Sequence, residues 1–190
     1  MSAPSIFGII PARAGSKRLP GKNLKKLGGM SLLEHTIRQA KKALPVSIVS
    51  TEDPAITVEA NRCGVSVLLR PDALATDTAT SADVVKHACA AYIGFDRFCL
   101  LQVTSPLRLA GDIINCVEIA VSSGRPVVST YQGKPNGAIY IGDVLRFDGD
   151  FLQNAMFYEM PRERSIDIDT QENFDEAERI YNANQVRATP

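Results

Sequence analysis

The sequence predicts an α/β sandwich built on a mainly parallel sheet, and two observations carry that prediction. Short runs rich in β-branched and aromatic residues alternate along the chain with longer segments whose apolar residues recur every three or four positions. Helix-capping residues mark the boundaries between the two kinds of segment.

Ser5 to Pro11 is a buried first strand, ended by proline and followed by a polar loop. A helix starts at Ser31, where Ser31 and Glu34 match the S-x-x-E capping box and Leu33, Ile37, Ala40 and Leu44 form one apolar face. Val46 to Ser50 reads as the second strand. Asp53 and Pro54 then make an N-cap and first-turn pair, and Gly64 ends that helix. Ser66 to Leu69 is the third strand, and Ser81 to Tyr92 a helix with Val84, Val85, Ala88 and Ala91 inward. Phe98 to Val103 is a buried strand, followed by a helix marked by Ile113, Ile114, Val117 and Val121 and closed by Gly124. Pro126 to Thr130 and Gly137 to Ile141 are two more strands, joined by the short link Tyr131 to Pro135. Ser165 to Thr170 alternates Ile166 and Ile168 with Asp167 and Asp169, the pattern of an extended strand with both acids on one face. Thr170 then caps a last helix carrying Phe174, Ala177 and Ile180.

At 190 residues the chain fits one domain, 1–190, with an ordinary 45% apolar content. No stretch approaches the length of a membrane span, and the first apolar run precedes its basic residues instead of following them as in a secretory signal; the expected compartment is the cytoplasm. Cys63, Cys89, Cys99 and Cys116 form no CxxC pair and no ligand spacing with His35 or His87, so they are read as reduced core thiols and the histidines as satisfied or solvated. The formal net charge of zero argues against nucleic acid as a partner. Its distribution is uneven: Arg13, Lys17, Arg18, Lys22, Lys25 and Lys26 all precede the first acid, Glu34, whereas eleven of the 21 acids lie between Asp143 and Ile180. A polyanionic ligand near the start of the chain and a cation near the end would fit that split.

The loop PARAGSKRLPGKN, Pro11 to Asn23, emerges at the carboxyl end of the first strand, where open α/β sheets bind ligands. Gly15 and Gly21 permit unusual backbone angles, Ser16 can donate a hydrogen bond, and Arg13, Lys17 and Lys22 can offset a phosphate chain. The spacing is neither that of a P-loop nor that of the dinucleotide fingerprint GxGxxG. Charge alone leaves a solvated basic loop as the alternative.

Six motifs in order resemble the acylneuraminate cytidylyltransferase family: PARAGSKRLPGKN, STED from Ser50, RPDALATDTATSADVV from Arg70, LLQVTSPLR from Leu100, NGAIYI from Asn136 and MPRERSIDIDTQENFDEAE from Met160. The resemblance covers nearly the whole chain. It implies a nucleotide-diphospho-sugar transferase (GT-A-like) fold, a three-layer sandwich with a mainly parallel mixed sheet. It also implies CTP and an acidic sugar as substrates, no membrane or nucleic acid partner, and a Mg2+ or Mn2+ cofactor. By matching position, Arg13, Ser16, Lys17, Lys22 and Asn23 would meet the triphosphate and nucleotide, Arg70 and Ser81 the cytosine, and Gln102 the sugar. Asp167 and Asp169 would hold the metal; they and Arg13 and Lys22 would be the catalytic groups. Structural roles remain open for several: Arg70 can anchor the loop before Pro71 to a carbonyl, Ser81 can cap its helix, Gln102 can satisfy backbone groups, and Asn136 can shape a turn.

The implied reaction is attack by the sugar's anomeric hydroxyl on the α-phosphorus of CTP with release of pyrophosphate, which needs positioned charge and no covalent nucleophile. The family carries a longer insertion between the strand near Thr130 and NGAIYI, which makes dimer contacts and supplies basic groups for the sugar carboxylate. Here only Tyr131 to Pro135 remain, with Lys134 as the one cation, so the family's dimer is not expected, which leaves room for a monomer, and another sugar, a sugar 1-phosphate or a weakly active nucleotide-binding homologue stands as the alternative.

Overall fold

The computed structural model describes residues 4–188, and the first strand is an interior strand of its sheet. β1 (Ile6–Pro11) is followed by a two-stranded hairpin, β2 (Lys26–Leu27) and β3 (Met30–Ser31), then α1 (Leu32–Ala43), β4 (Val46–Thr51), α2 (Pro54–Arg62) and β5 (Ser66–Leu69). The second half runs α3 (Ser81–Ala91), β6 (Arg97–Leu101), α4 (Ala110–Ser123), β7 (Val127–Tyr131), β8 (Lys134–Asp143), β9 (Met156–Glu159) and α5 (Gln171–Ala188). Seven strands form one sheet in the order β5-β4-β1-β6-β8-β7-β9. All pairs are parallel except those of β8, which runs antiparallel between β6 and β7.

β1 shows why three layers form. Its side chains alternate across the sheet: Ile6 and Ile10 join a core with α1, α2, α4 and α5, while Phe7 and Ile9 join a second core with α3 and the aromatic residues Phe98, Phe147 and Phe151. The fold is therefore the α/β sandwich that the alternation predicts. Of the cysteines, Cys99 and Cys116 are buried, and all four are free. His35 donates from Nε2 to the Leu27 carbonyl at 2.8 Å, a satisfied imidazole. Among the described residues no helix is long and apolar enough to cross a membrane.

The caps agree in part. Ser31 Oγ accepts from the Glu34 amide at 3.0 Å, but the Glu34 carboxylate turns to Arg38 and Arg62 instead of closing the box. Asp53 caps α2 as read, accepting from the Ile56 amide at 2.9 Å. α3 is capped by Thr80, with Asp83 completing the box, so Ser81 is released from that role.

The last third differs from the sequence reading in several ways, among them β9, where no strand is expected. The link between β7 and β8 closes on two residues, Gln132 and Gly133, both with positive φ (51° and 71°), as a tight hairpin matched to strand twist requires. Residues 165–170 are not a strand: they follow a 3-10 turn, Arg162–Arg164, and the Ile168 amide donates to the Thr104 carbonyl at 2.7 Å instead of to a neighbouring strand. The alternation survives without the ladder, because Ile168 is fully buried while Asp167 and Asp169 face a cavity.

Candidate active site

A cavity of about 470 Å3 opens at the carboxyl ends of β1, β5 and β6, within the size range of small-molecule sites. Its wall begins with the loop after β1. The Ala12 amide donates to Ser50 O at 3.0 Å, the Ala14 amide to Glu52 Oε1 at 2.8 Å, and Asn23 Nδ2 to Arg13 O at 2.8 Å. Asn23 thus ties the end of the loop to its start. Gly21, at φ 66°, takes the left-handed turn that a side chain would resist and begins the short 3-10 turn bearing Lys22. Closed in this way, the loop sends Arg13, Ser16, Lys17, Arg18 and Lys22 to the cavity.

These cations are already paired. Asp77 accepts from Arg13 Nη1 at 2.8 Å and Lys17 Nζ at 2.5 Å; Asp169 accepts from Lys22 Nζ at 2.8 Å and Arg18 Nη2 at 2.7 Å. Lys17 and then Arg13 hold the Asp77 carboxyl below its ordinary value. Desolvation pushes Asp169 up, but Lys22 and Arg18 outweigh it and the net shift is downward. Asp167 is in no ion pair among the described residues. Its carboxyl reaches the cavity surface yet sits in a concave wall, so desolvation raises it, Thr104 opposes by hydrogen bonding, and the Asp169 charge raises it further.

The opposite wall carries Arg70, Thr80, Ser81 and Val84. Arg70 is almost fully buried; its Nη2 donates to Ser50 O at 2.7 Å and its Nε lies 4.0 Å from Glu52 Oε2. It is both a loop anchor and a fixed cationic wall, and desolvation lowers its pKa. Ser81 stands in the first turn of α3 with its hydroxyl uncommitted to the cap. Gln102 follows β6, and its side-chain amide is in no hydrogen bond among the described residues; the backbone-satisfying role does not hold. Asn136 does shape a turn: its Oδ1 accepts from Ser129 Oγ at 2.6 Å and from the Ala138 amide at 3.1 Å, across the bulge where β8 slips against β7.

All ten residues chosen from the sequence, Arg13, Ser16, Lys17, Lys22, Asn23, Arg70, Ser81, Gln102, Asp167 and Asp169, line this one cavity. Sequence reading passed over Asp77 and Thr104. Asp77 lies inside a quoted motif, but its pairing with a loop 64 residues away leaves no local pattern.

A divalent metal fits the acidic corner. Mg2+ is commonly held by one or two carboxylates together with substrate phosphates, and Asp167 presents a carboxylate without a cation of its own beside Asp169. The three-ligand cluster among the described residues, Glu34, Glu59 and Cys63, lies elsewhere and is already neutralised by Arg62.

Residues 7–134 match the family model described as cytidylyltransferase. The chain is 34% identical over 230 residues to a CMP-N,N'-diacetyllegionaminic acid synthase of Legionella pneumophila, covering 95% of this chain and 97% of that one. It is 32% identical over 211 residues to an N-acylneuraminate cytidylyltransferase of Escherichia coli; 90% of this chain is covered, but it spans only 50% of that enzyme's length. The fold is also that of a CMP:2-keto-3-deoxy-manno-octonic acid synthetase solved with CTP, at TM-score 0.74 and 14% identity, covering 95% and 99% of the two chains. Matched by the model over most of its length and by a relative almost end to end, the chain belongs to the cytidylyltransferase family, as a relative of the N-acylneuraminate enzymes.

Proposed function

We propose that this chain is a metal-dependent, cytoplasmic cytidylyltransferase that joins CMP from CTP to an acidic 2-keto sugar of the N-acylneuraminate or legionaminate class, releasing pyrophosphate. One observation carries the reading: a single cavity gathers five cations, three carboxylates and the side-chain amide of Gln102. The four free cysteines suit a reducing compartment.

Arg13, Lys17 and Lys22 face where a triphosphate would lie and offset the charge that builds on the departing pyrophosphate. Arg70 and Ser81 line the sector assigned to cytosine, and Arg70 is held rigid by its bonds to Ser50, so its orientation is set before the ligand arrives. Gln102 offers its amide to the sugar. The oxygen–phosphorus bond made to the sugar hydroxyl replaces the one broken to pyrophosphate. Asp167 and Asp169 would hold the Mg2+, which when bound polarises the α-phosphate. Lys22 must then move from Asp169 to phosphate as the ligand enters.

The Gln132–Gly133 hairpin leaves no arm at this edge. We propose that the chain does not form its family's arm-mediated dimer; light scattering at micromolar concentration tests this, and a dimer built through the β7–β8 edge would refute it. The activity is tested by pyrophosphate release from the four nucleoside triphosphates, each offered acidic 2-keto sugars and sugar 1-phosphates with Mg2+. CTP with an acidic sugar is the expected productive pair. Calorimetric binding of ATP or GTP as tight as that of CTP would sink the assignment, since a hydrogen-bonding base site rejects the wrong base by leaving its own groups unpaired.

A further inference from the structure

Arg108 closes the LLQVTSPLR motif, yet the reaction as proposed gives it nothing to do. It is fully buried, with 1% of its surface exposed. Its Nη1 donates to three carbonyls: Gln102 at 2.7 Å, Ser105 at 3.1 Å and Ala138 at 3.1 Å. Nε and Nη2 are buried with no hydrogen-bond partner among the described residues. Burial lowers the guanidinium to about 10, so it stays a cation near neutral pH. A buried cation that uses one nitrogen three times and two nitrogens not at all is a costly way to fill space.

What the three carbonyls hold explains the placement. Gln102 and Ser105 are the ends of a tight turn, with the Ser105 amide donating to Gln102 O at 3.3 Å. Inside that turn, Thr104 accepts the Ile168 amide at 2.7 Å and hydrogen-bonds the Asp167 carboxylate. Ala138 follows Gly137 in the β8 bulge, where a Cβ on Gly137 would stand 3.8 Å from Asp167 Oδ2. One nitrogen therefore pins the turn that carries the free amide to the strand that backs the acid.

We infer that Arg108 is a positioning residue: through Nη1 it fixes the Gln102–Ser105 turn against β8 and so sets the separation between the sugar-facing amide of Gln102 and the carboxylate of Asp167. This rests on the function proposed above. CTP contacts assigned to the β1 loop, Arg70 and Ser81 do not pass through these bonds.

The test compares Arg108→Met and Arg108→Lys in the full chain, measuring sugar KM, kcat, CTP affinity by calorimetry without metal, and melting temperature. Lysine brings three N–H donors to one point, matching the three carbonyls. Arg108→Met should raise sugar KM at least tenfold and lower kcat, with CTP affinity within twofold of wild type; Arg108→Lys should restore most of both. A merely structural role predicts a lower melting temperature and fewer active molecules with sugar KM unchanged, and that result overturns the inference. Failure of lysine to rescue also overturns it, because the unpartnered Nε and Nη2 would then be the working atoms. Should Arg108→Met not fold, Arg108→Lys decides alone: near-wild-type sugar KM and CTP affinity uphold the single-point clamp, and a tenfold rise in sugar KM refutes it. A wild type that turns over no acidic sugar with CTP overturns the functional reading and this inference together, whereas an active wild type with unchanged sugar KM in the methionine variant overturns the inference alone.

Discussion

Removing the Arg164 guanidinium should cost the chain more than neutralising its partner Asp112. Asp112 is 2% exposed, and it accepts from Arg164 Nε at 2.9 Å and Nη2 at 3.0 Å, from the Leu109 amide at 2.9 Å and from Tyr158 OH at 3.1 Å. Arg164→Met strands a buried carboxylate, a change that typically costs about 3–5 kcal/mol. The Leu109 and Tyr158 donors remain, and the Arg164 side chain is 32% exposed, so the lower end, about 3 kcal/mol, applies. For a chain of this size that is a melting-temperature drop of roughly 6–12 °C. Asp112→Asn leaves Arg164 able to reach water and keeps an oxygen for Leu109, at about 1–2 kcal/mol. The double variant should recover part of the larger loss, with a coupling energy of about 1 kcal/mol or more. Denaturant unfolding of the four proteins measures the cycle. Additive effects, or a larger loss in Asp112→Asn than in Arg164→Met, would refute the reasoning. Arg164 also ends the turn just before Asp167, so its loss should lower turnover beyond the loss of folded protein.

Three further outcomes follow from the site. Desolvation raises Asp167, so the folded chain binds that proton more tightly than the unfolded one, and stability falls as pH rises through the raised value. Asp167→Asn should therefore melt higher near neutral pH, by a margin that shrinks on acidification, while turnover drops by orders of magnitude; an unchanged turnover would remove the metal site. Asp77→Asn frees Arg13 and Lys17 and should tighten CTP binding a few-fold by calorimetry, whereas weaker binding would make Asp77 a contributor instead of a competitor. Thiol titration of the native protein should leave Cys99 and Cys89 unmodified, since burial raises them to about 12 and about 11, and denaturant should release all four.

Much of the fold was legible because its determinants are local. The alternation in Ile6 to Ile10, the Asp53–Pro54 start and Thr170, whose Oγ1 accepts from the Asn173 amide at 3.3 Å, are all read within a few residues. The site was legible for a related reason: loops at the carboxyl ends of β1, β5 and β6 open on one edge of the sheet once those strands run parallel. What escaped depends on partners distant in sequence. β9, Met156–Glu159, exists because β7 offers it a parallel edge, and its own composition does not demand a strand. Residues 165–170 have the period of a strand but no neighbour to complete a ladder, so burial of Ile168 decides their course. Thr80 displaced Ser81 as the cap by a single position, and Asp83 is what selects it.

The carboxylates that occupy the β1 loop give the cavity a return stroke. With Asp77 and Asp169 in place, only half of the positive charge on Arg13, Lys17, Arg18 and Lys22 is offset, so the proposed reaction begins as an exchange of ion pairs at a mouth that stays net positive and still attracts an anion. Only an anion of several charges can displace two aspartates at once. A triphosphate meets that requirement, and a product with a single bridging phosphate does not. Once pyrophosphate leaves, Asp77 and Asp169 can reclaim Arg13, Lys17, Arg18 and Lys22, and the same contacts that the substrate had to break then favour release of the nucleotide sugar.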